Sequence, residues 1–75
     1  MLQFTVVVEK CFDGVDASIP SIRECEVWAS TEDDAIAALH ERLAFFLRRE
    51  PGFRQDLDFM RRENGKIYYK LIVRS

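Results

Sequence analysis

Apolar and polar residues alternate from the second position of the chain onward. Leu2, Phe4, Val6 and Val8 fall on one side of an extended backbone and Gln3, Thr5, Val7 and Glu9 on the other, which predicts a strand from Leu2 to about Lys10. Asp13-Gly14 marks a hairpin turn, since glycine tolerates the positive φ such turns require. Val15, Ala17 and Ile19 then alternate with Asp16 and Ser18 until Pro20, which cannot donate to a ladder, ends a second strand. A third strand is predicted over Glu24 to Ala29, with Cys25, Val27 and Ala29 facing inward and Glu24, Glu26 and Trp28 outward.

The period then changes. Ile36, Leu39, Leu43, Phe46 and Leu47 recur at helical spacing and predict one helix over about residues 31–49. Ser30 or Thr31 caps it, each with an acid three residues on, and Glu32-Asp33-Asp34 suits the positive end of the helix dipole. Arg48 and Arg49 suit the negative end, and Pro51-Gly52 forbids continuation. Phe53 to Glu63 contains a fourth strand, Asn64-Gly65 is a second hairpin signal, and Lys66 to Arg74 is a fifth strand.

The expected architecture is a single α+β domain over residues 1–75 in the order βββαββ. It is an antiparallel three-strand meander with the helix packed on one sheet face. One helix covers one face, so the other should be polar in a monomer. With Leu2, Val27, Phe59 and Tyr69 taken as core, the other face instead carries Val7, Trp28, Met60, Tyr68 and Ile72. Phe45 projects from the helix opposite its apolar stripe. Aromatic residues on an uncovered face point to association, so a homodimer or higher oligomer is expected.

A chain of 75 residues with 48% hydrophobic content is one domain with a core of its own. No stretch approaches the ~18 apolar residues of a membrane span. Met1 leads straight into a strand, so the chain reads as a soluble, cytoplasmic protein. Cys11 and Cys25 fall at opposite ends of a meander, too far apart for a disulfide, and are expected as thiols. The net charge of −2 divides unevenly, eight acids against two bases over residues 1–40 and nine bases against five acids over 41–75. The acidic half suits a basic partner and the basic half a polyanion.

Candidate chemistry is sparse. The acids Glu9, Asp13, Asp16, Asp56 and Asp58 lie on separate elements, and nothing in their spacing specifies a shared metal. His40 flanks the helix stripe with no serine or cysteine at motif spacing, and reads as a boundary histidine. The three glycines are scattered, so no phosphate-binding loop is formed. No enzyme activity, cofactor or metal is expected. Arg61, Arg62 and Lys66, interleaved with Phe59, Tyr68 and Tyr69, are the candidate nucleic-acid contacts.

Asp13-Gly14, Ala17 to Ile19, Pro20-Ser21-Ile22, Cys25, Thr31, Asp34 and Ala35 stand at offsets that resemble the HicB antitoxin family over roughly residues 4–47. Members begin with a strand, an Asp-Gly turn, a strand ending in Pro-x-Leu/Ile, a Gly-Cys pair and a helix starting Thr-x-x-Glu/Asp-Ala. Here Glu24 stands where the family usually has glycine, and Ala29-Ser30 replace the glycine before the helix. An apolar hairpin stands where many relatives carry a DNA-binding domain. The resemblance implies a degenerate ribonuclease-H-like sheet of order 3-2-1-4, its fourth strand parallel to the first. It also implies a non-catalytic module of a toxin–antitoxin system that neutralises a small basic RNA-cleaving toxin by occlusion. Glu24, Glu26, Trp28, Phe45 and Tyr68 are the expected partner-binding residues; the alternatives are a nucleic-acid-binding domain or an orphan oligomeric domain.

Overall fold

The computed structural model describes residues 2–50 and 52–74. The elements run β1 (Leu2–Cys11), β2 (Gly14–Ser18), β3 (Glu26–Ala29), α1 (Glu32–Leu47), β4 (Arg54–Glu63) and β5 (Lys66–Arg74). The strands form one five-stranded sheet of order β3-β2-β1-β5-β4 in which every neighbouring pair is antiparallel.

This overturns the expected ribonuclease-H-like arrangement. The neighbour of β1 is β5, antiparallel, with Leu2 opposite Val73 and Glu9 opposite Lys66. β4 lies outside β5 at the sheet edge, so no parallel pair forms. Side-chain composition explains the choice. β5 offers Ile67, Tyr69, Leu71 and Val73 to one face and Tyr68 and Ile72 to the other, which suits a strand with two neighbours. β4 places Arg54, Asp56, Asp58, Arg61 and Glu63 along a single face, the charged pattern of an edge strand. Asn64 and Gly65, both at positive φ, then close the tight turn that keeps the two strands adjacent.

α1 packs across β2 and β3. Ala35, Leu39 and Leu43 form its buried row, in one cluster with Val6, Val8, Val15, Ala17, Leu71 and Val73 of the sheet, and Ala44 is buried as well. Phe46, expected within that stripe, is instead 50% exposed. It sits three residues after Leu43 rather than four, and borders the Glu24–Cys25 loop. Thr31 is the N-cap, its hydroxyl accepting from the Asp34 N–H at 3.2 Å. The helix ends when Arg48 turns left-handed (φ 58°), with Arg48 N–H donating to Phe45 O and Arg49 N–H to Ala44 O. The proline expected to stop it, Pro51, lies outside the described residues.

Two turns differ from the sequence reading. The first hairpin turns at Phe12-Asp13, with Gly14 already in β2 opposite Cys11 and not at positive φ. Between β2 and β3, Ile22 N–H donates to Ile19 O and Cys25 N–H to Ile22 O, so two consecutive turns bring Ile19, Ile22 and Cys25 inward at every third residue. Pro20 occupies the second position of the first turn, where its fixed φ fits. The third strand consequently starts at Glu26, not Glu24. Among the described residues no helix is long and apolar enough to cross a membrane.

Candidate functional site: the open sheet face

Strand register places the outward side chains in rows across the face that α1 leaves open. One row reads Trp28, Asp16, Glu9, Lys66 and Glu63; the next reads Glu26, Ser18, Val7, Tyr68 and Arg61. Further along, Thr5, Lys70 and Asp58 share a row, then Gln3, Ile72 and Asp56. The face is therefore acidic toward β3, mixed toward β4, and apolar only at Val7–Tyr68, Ile72 and Trp28. Met60 leaves the register as the extra residue of a β-bulge between Phe59 and Arg61.

Trp28 is 53% exposed and holds its place by lying against Gly14. Asp16, beside it, has a carboxyl pushed above the ordinary range, first by burial, then by a hydrogen bond with Glu26 and by repulsion from that carboxylate. At the other end the Arg61 guanidinium carbon sits 4.2 Å above the Tyr68 ring centre, with Glu63 Oε1 3.8 Å from Arg61 Nε.

The expected partner-binding residues divide into two groups. Glu26, Trp28 and Tyr68 share the open face. Glu24 and Phe45 instead border a cleft of about 590 Å³ at the end of α1, with Cys25, Arg42, Phe46 and Arg48. Phe45 is 83% exposed there, while burial is the main cause that raises the Cys25 thiol pKa. The basic trio divides too. Arg61 and Lys66 lie on the open face, whereas Arg62 pairs with inward-facing Ile67 and borders a depression with Glu32 on the helix side.

Other polar groups are structural. Tyr69 Oη donates to Glu32 Oε2 at 2.9 Å, tying β5 to the first turn of α1. His40 stacks on Phe53 with ring centres 4.1 Å apart. Gly52 N–H donates to its Nε2 at 3.2 Å, which leaves Nδ1 as the protonated nitrogen that donates to Gln55 Oε1 at 2.7 Å. These contacts fasten β4 to the helix, a role its sequence position at the stripe's flank left open. Cys11 is exposed and Cys25 buried, both as free thiols. Among the described residues no group of three or more His, Cys, Asp and Glu side chains is placed to hold a metal ion. No family model, no curated protein and no solved structure matches this chain.

Proposed function

We propose that the chain is a non-catalytic protein-binding module that receives a basic partner on the acidic end of its open sheet face. The observation that carries this reading is the convergence of Glu9, Asp16 and Glu26 around half-exposed Trp28, next to the apolar Val7–Tyr68 pair. Aromatic anchors ringed by charge are the usual composition of an interface centre and its rim. The resemblance to HicB antitoxins supplies a concrete partner, a small basic RNA-cleaving toxin silenced by occlusion. The altered strand order removes the fold-level argument for that partner and leaves the surface argument.

Nucleic-acid binding finds less support. Arg61 covers the face of Tyr68 that a base would need, and Arg62 faces the opposite side of the sheet from Lys66. A pull-down from the native host with wild type and with Glu26→Lys/Trp28→Asp decides between the readings. A small basic protein retained by wild type, released as salt rises and lost with the double variant supports protein binding. Salt-sensitive capture of RNA or DNA that depends on Arg61, Arg62 and Lys66 rejects it.

A further inference from the structure

The sheet ends on β4, a ten-residue strand with one side unpaired by any element among the described residues. Such edges are usually blunted by charge, proline or a bulge. Here the bulge at Met60 distorts only the far end, and the segment from Arg54 to Phe59 pairs regularly with β5. Among the described residues, neither Arg54 nor Asp58 takes part in an ion pair; Arg54 instead faces Arg74 across the β4–β5 ladder, and Arg74 is engaged by Asp56.

We propose that β4 pairs antiparallel with β4 of a second copy of this chain, about a two-fold axis through Asp56. This register sets Arg54 opposite Asp58 of the second copy, twice, so that Arg54, which faces Arg74 in its own chain, gains an opposite charge, and Asp58 comes to lie between that arginine and its own Lys70. On the helix side it sets Phe59, 60% exposed, opposite Phe53 of the second copy, and Leu57 opposite Gln55. The two Asp56 carboxylates meet at the axis, each held by the Arg74 of its own chain. The paired stretch ends where the bulge begins, so the distortion lies outside the interface. Two five-stranded sheets become one continuous sheet, and the open face proposed above for another protein stays free on both copies. The opposite edge, β3, is only four residues long, and its outward Glu26 and Trp28 offer a second copy no opposite charge.

A strand pair of this length makes an interface below the roughly 1,000 Å² of stable complexes, so the dimer should dissociate in the micromolar range. Sedimentation velocity of the whole chain from about 5 to 500 μM, bracketing that range, tests the proposal through charge exchange. Arg54→Asp and Asp58→Arg should each raise the dimer dissociation constant about tenfold or more, since each places two like-charge contacts in the register. The doubly exchanged R54D/D58R chain should regain wild-type association. Circular dichroism of each variant checks that the fold is kept, and amide exchange checks it independently. Alternate amides between residues 54 and 58 should gain protection as wild-type concentration rises. A wild type that stays monomeric across the range, or a dimer that both single variants keep and Trp28→Asp dissolves, overturns the proposal. Loss of partner capture with dimerisation intact would instead count against the open-face reading alone.

Discussion

The indole of Trp28 lies against Gly14. A Cβ added at position 14 would come within 2.5 Å of Trp28 Cζ2 and within 2.5 Å of the Ala29 carbonyl oxygen. The glycine is therefore required by a close approach across the β2–β3 ladder, not by a left-handed turn. Gly14→Ala should lower stability by about 1–3 kcal/mol, the usual cost of overpacking. Because Ala29 O is backbone and cannot move aside, the same change in a Trp28→Ala background should still be destabilising. Urea unfolding of the four chains, wild type included, measures both effects. A neutral Gly14→Ala would reject the contact.

The helix row makes a second test. Leu43 is 0% exposed, whereas Phe46 is 50% exposed on the same helix. Leu43→Ala should cost about 2–5 kcal/mol through lost burial and the cavity it leaves. Phe46→Ala should cost no more than about 1 kcal/mol, as expected for a half-exposed side chain. Equal melting shifts for the two variants would place the packed face elsewhere.

Arg48 occupies a conformation that side chains resist, with φ 58° at the end of α1. Glycine adopts it freely, so Arg48→Gly should raise stability by about 0.5–1 kcal/mol despite removing a charge near the negative helix end. Thermal denaturation at moderate salt, where the dipole effect is screened, isolates the backbone gain. A fall in melting temperature would show that the side chain outweighs the strain.

Local signals were the legible part of this fold. The Leu2–Val8 alternation, the helix cap and the Asn64-Gly65 turn depend on neighbouring residues; the strand and the turn lie where the sequence placed them, and of Ser30 and Thr31, between which the sequence left the cap open, the structure uses Thr31. Strand order depends on competition between distant segments. Periodicity alone gives β4 and β5 equal claim to the place beside β1, and the parallel arrangement came from resemblance. The charge on Arg54, Asp56, Asp58, Arg61 and Glu63 was the available clue that β4 belongs at an edge. The division of the candidate contacts was equally hidden. Glu24 and Glu26 look equivalent by alternation, but the turn from Ile22 to Cys25 removes Glu24 from the strand. Arg61 and Arg62 are neighbours in any extended segment, and so face opposite ways.

Burial of Asp16, with Glu26 beside it, gives the acidic end its pH dependence. Burial, the Glu26 hydrogen bond and Glu26 repulsion all raise the Asp16 pKa above 3.8, so the folded state holds this proton more tightly than the unfolded chain does. For a group of this sign the favourable contribution is full below the unfolded pKa and is lost as pH rises through the folded one. At neutral pH the ionised Asp16 is thus a cost to the fold, in the same place where two carboxylates together make an attractive site for a cation-bearing partner. Asp16→Asn keeps the shape and the hydrogen bond while removing the charge. Its urea midpoint should exceed that of wild type at pH 7, and the difference should shrink as pH falls through the raised folded pKa and be gone below the ordinary aspartate value, where wild-type Asp16 is protonated folded and unfolded alike. The same variant should bind a basic partner more weakly at low salt, because one of the charges that steer the encounter is gone. An Asn variant that is less stable than wild type at pH 7, or a gain that persists unchanged at pH 3, would remove the carboxylate pair from the account of this surface.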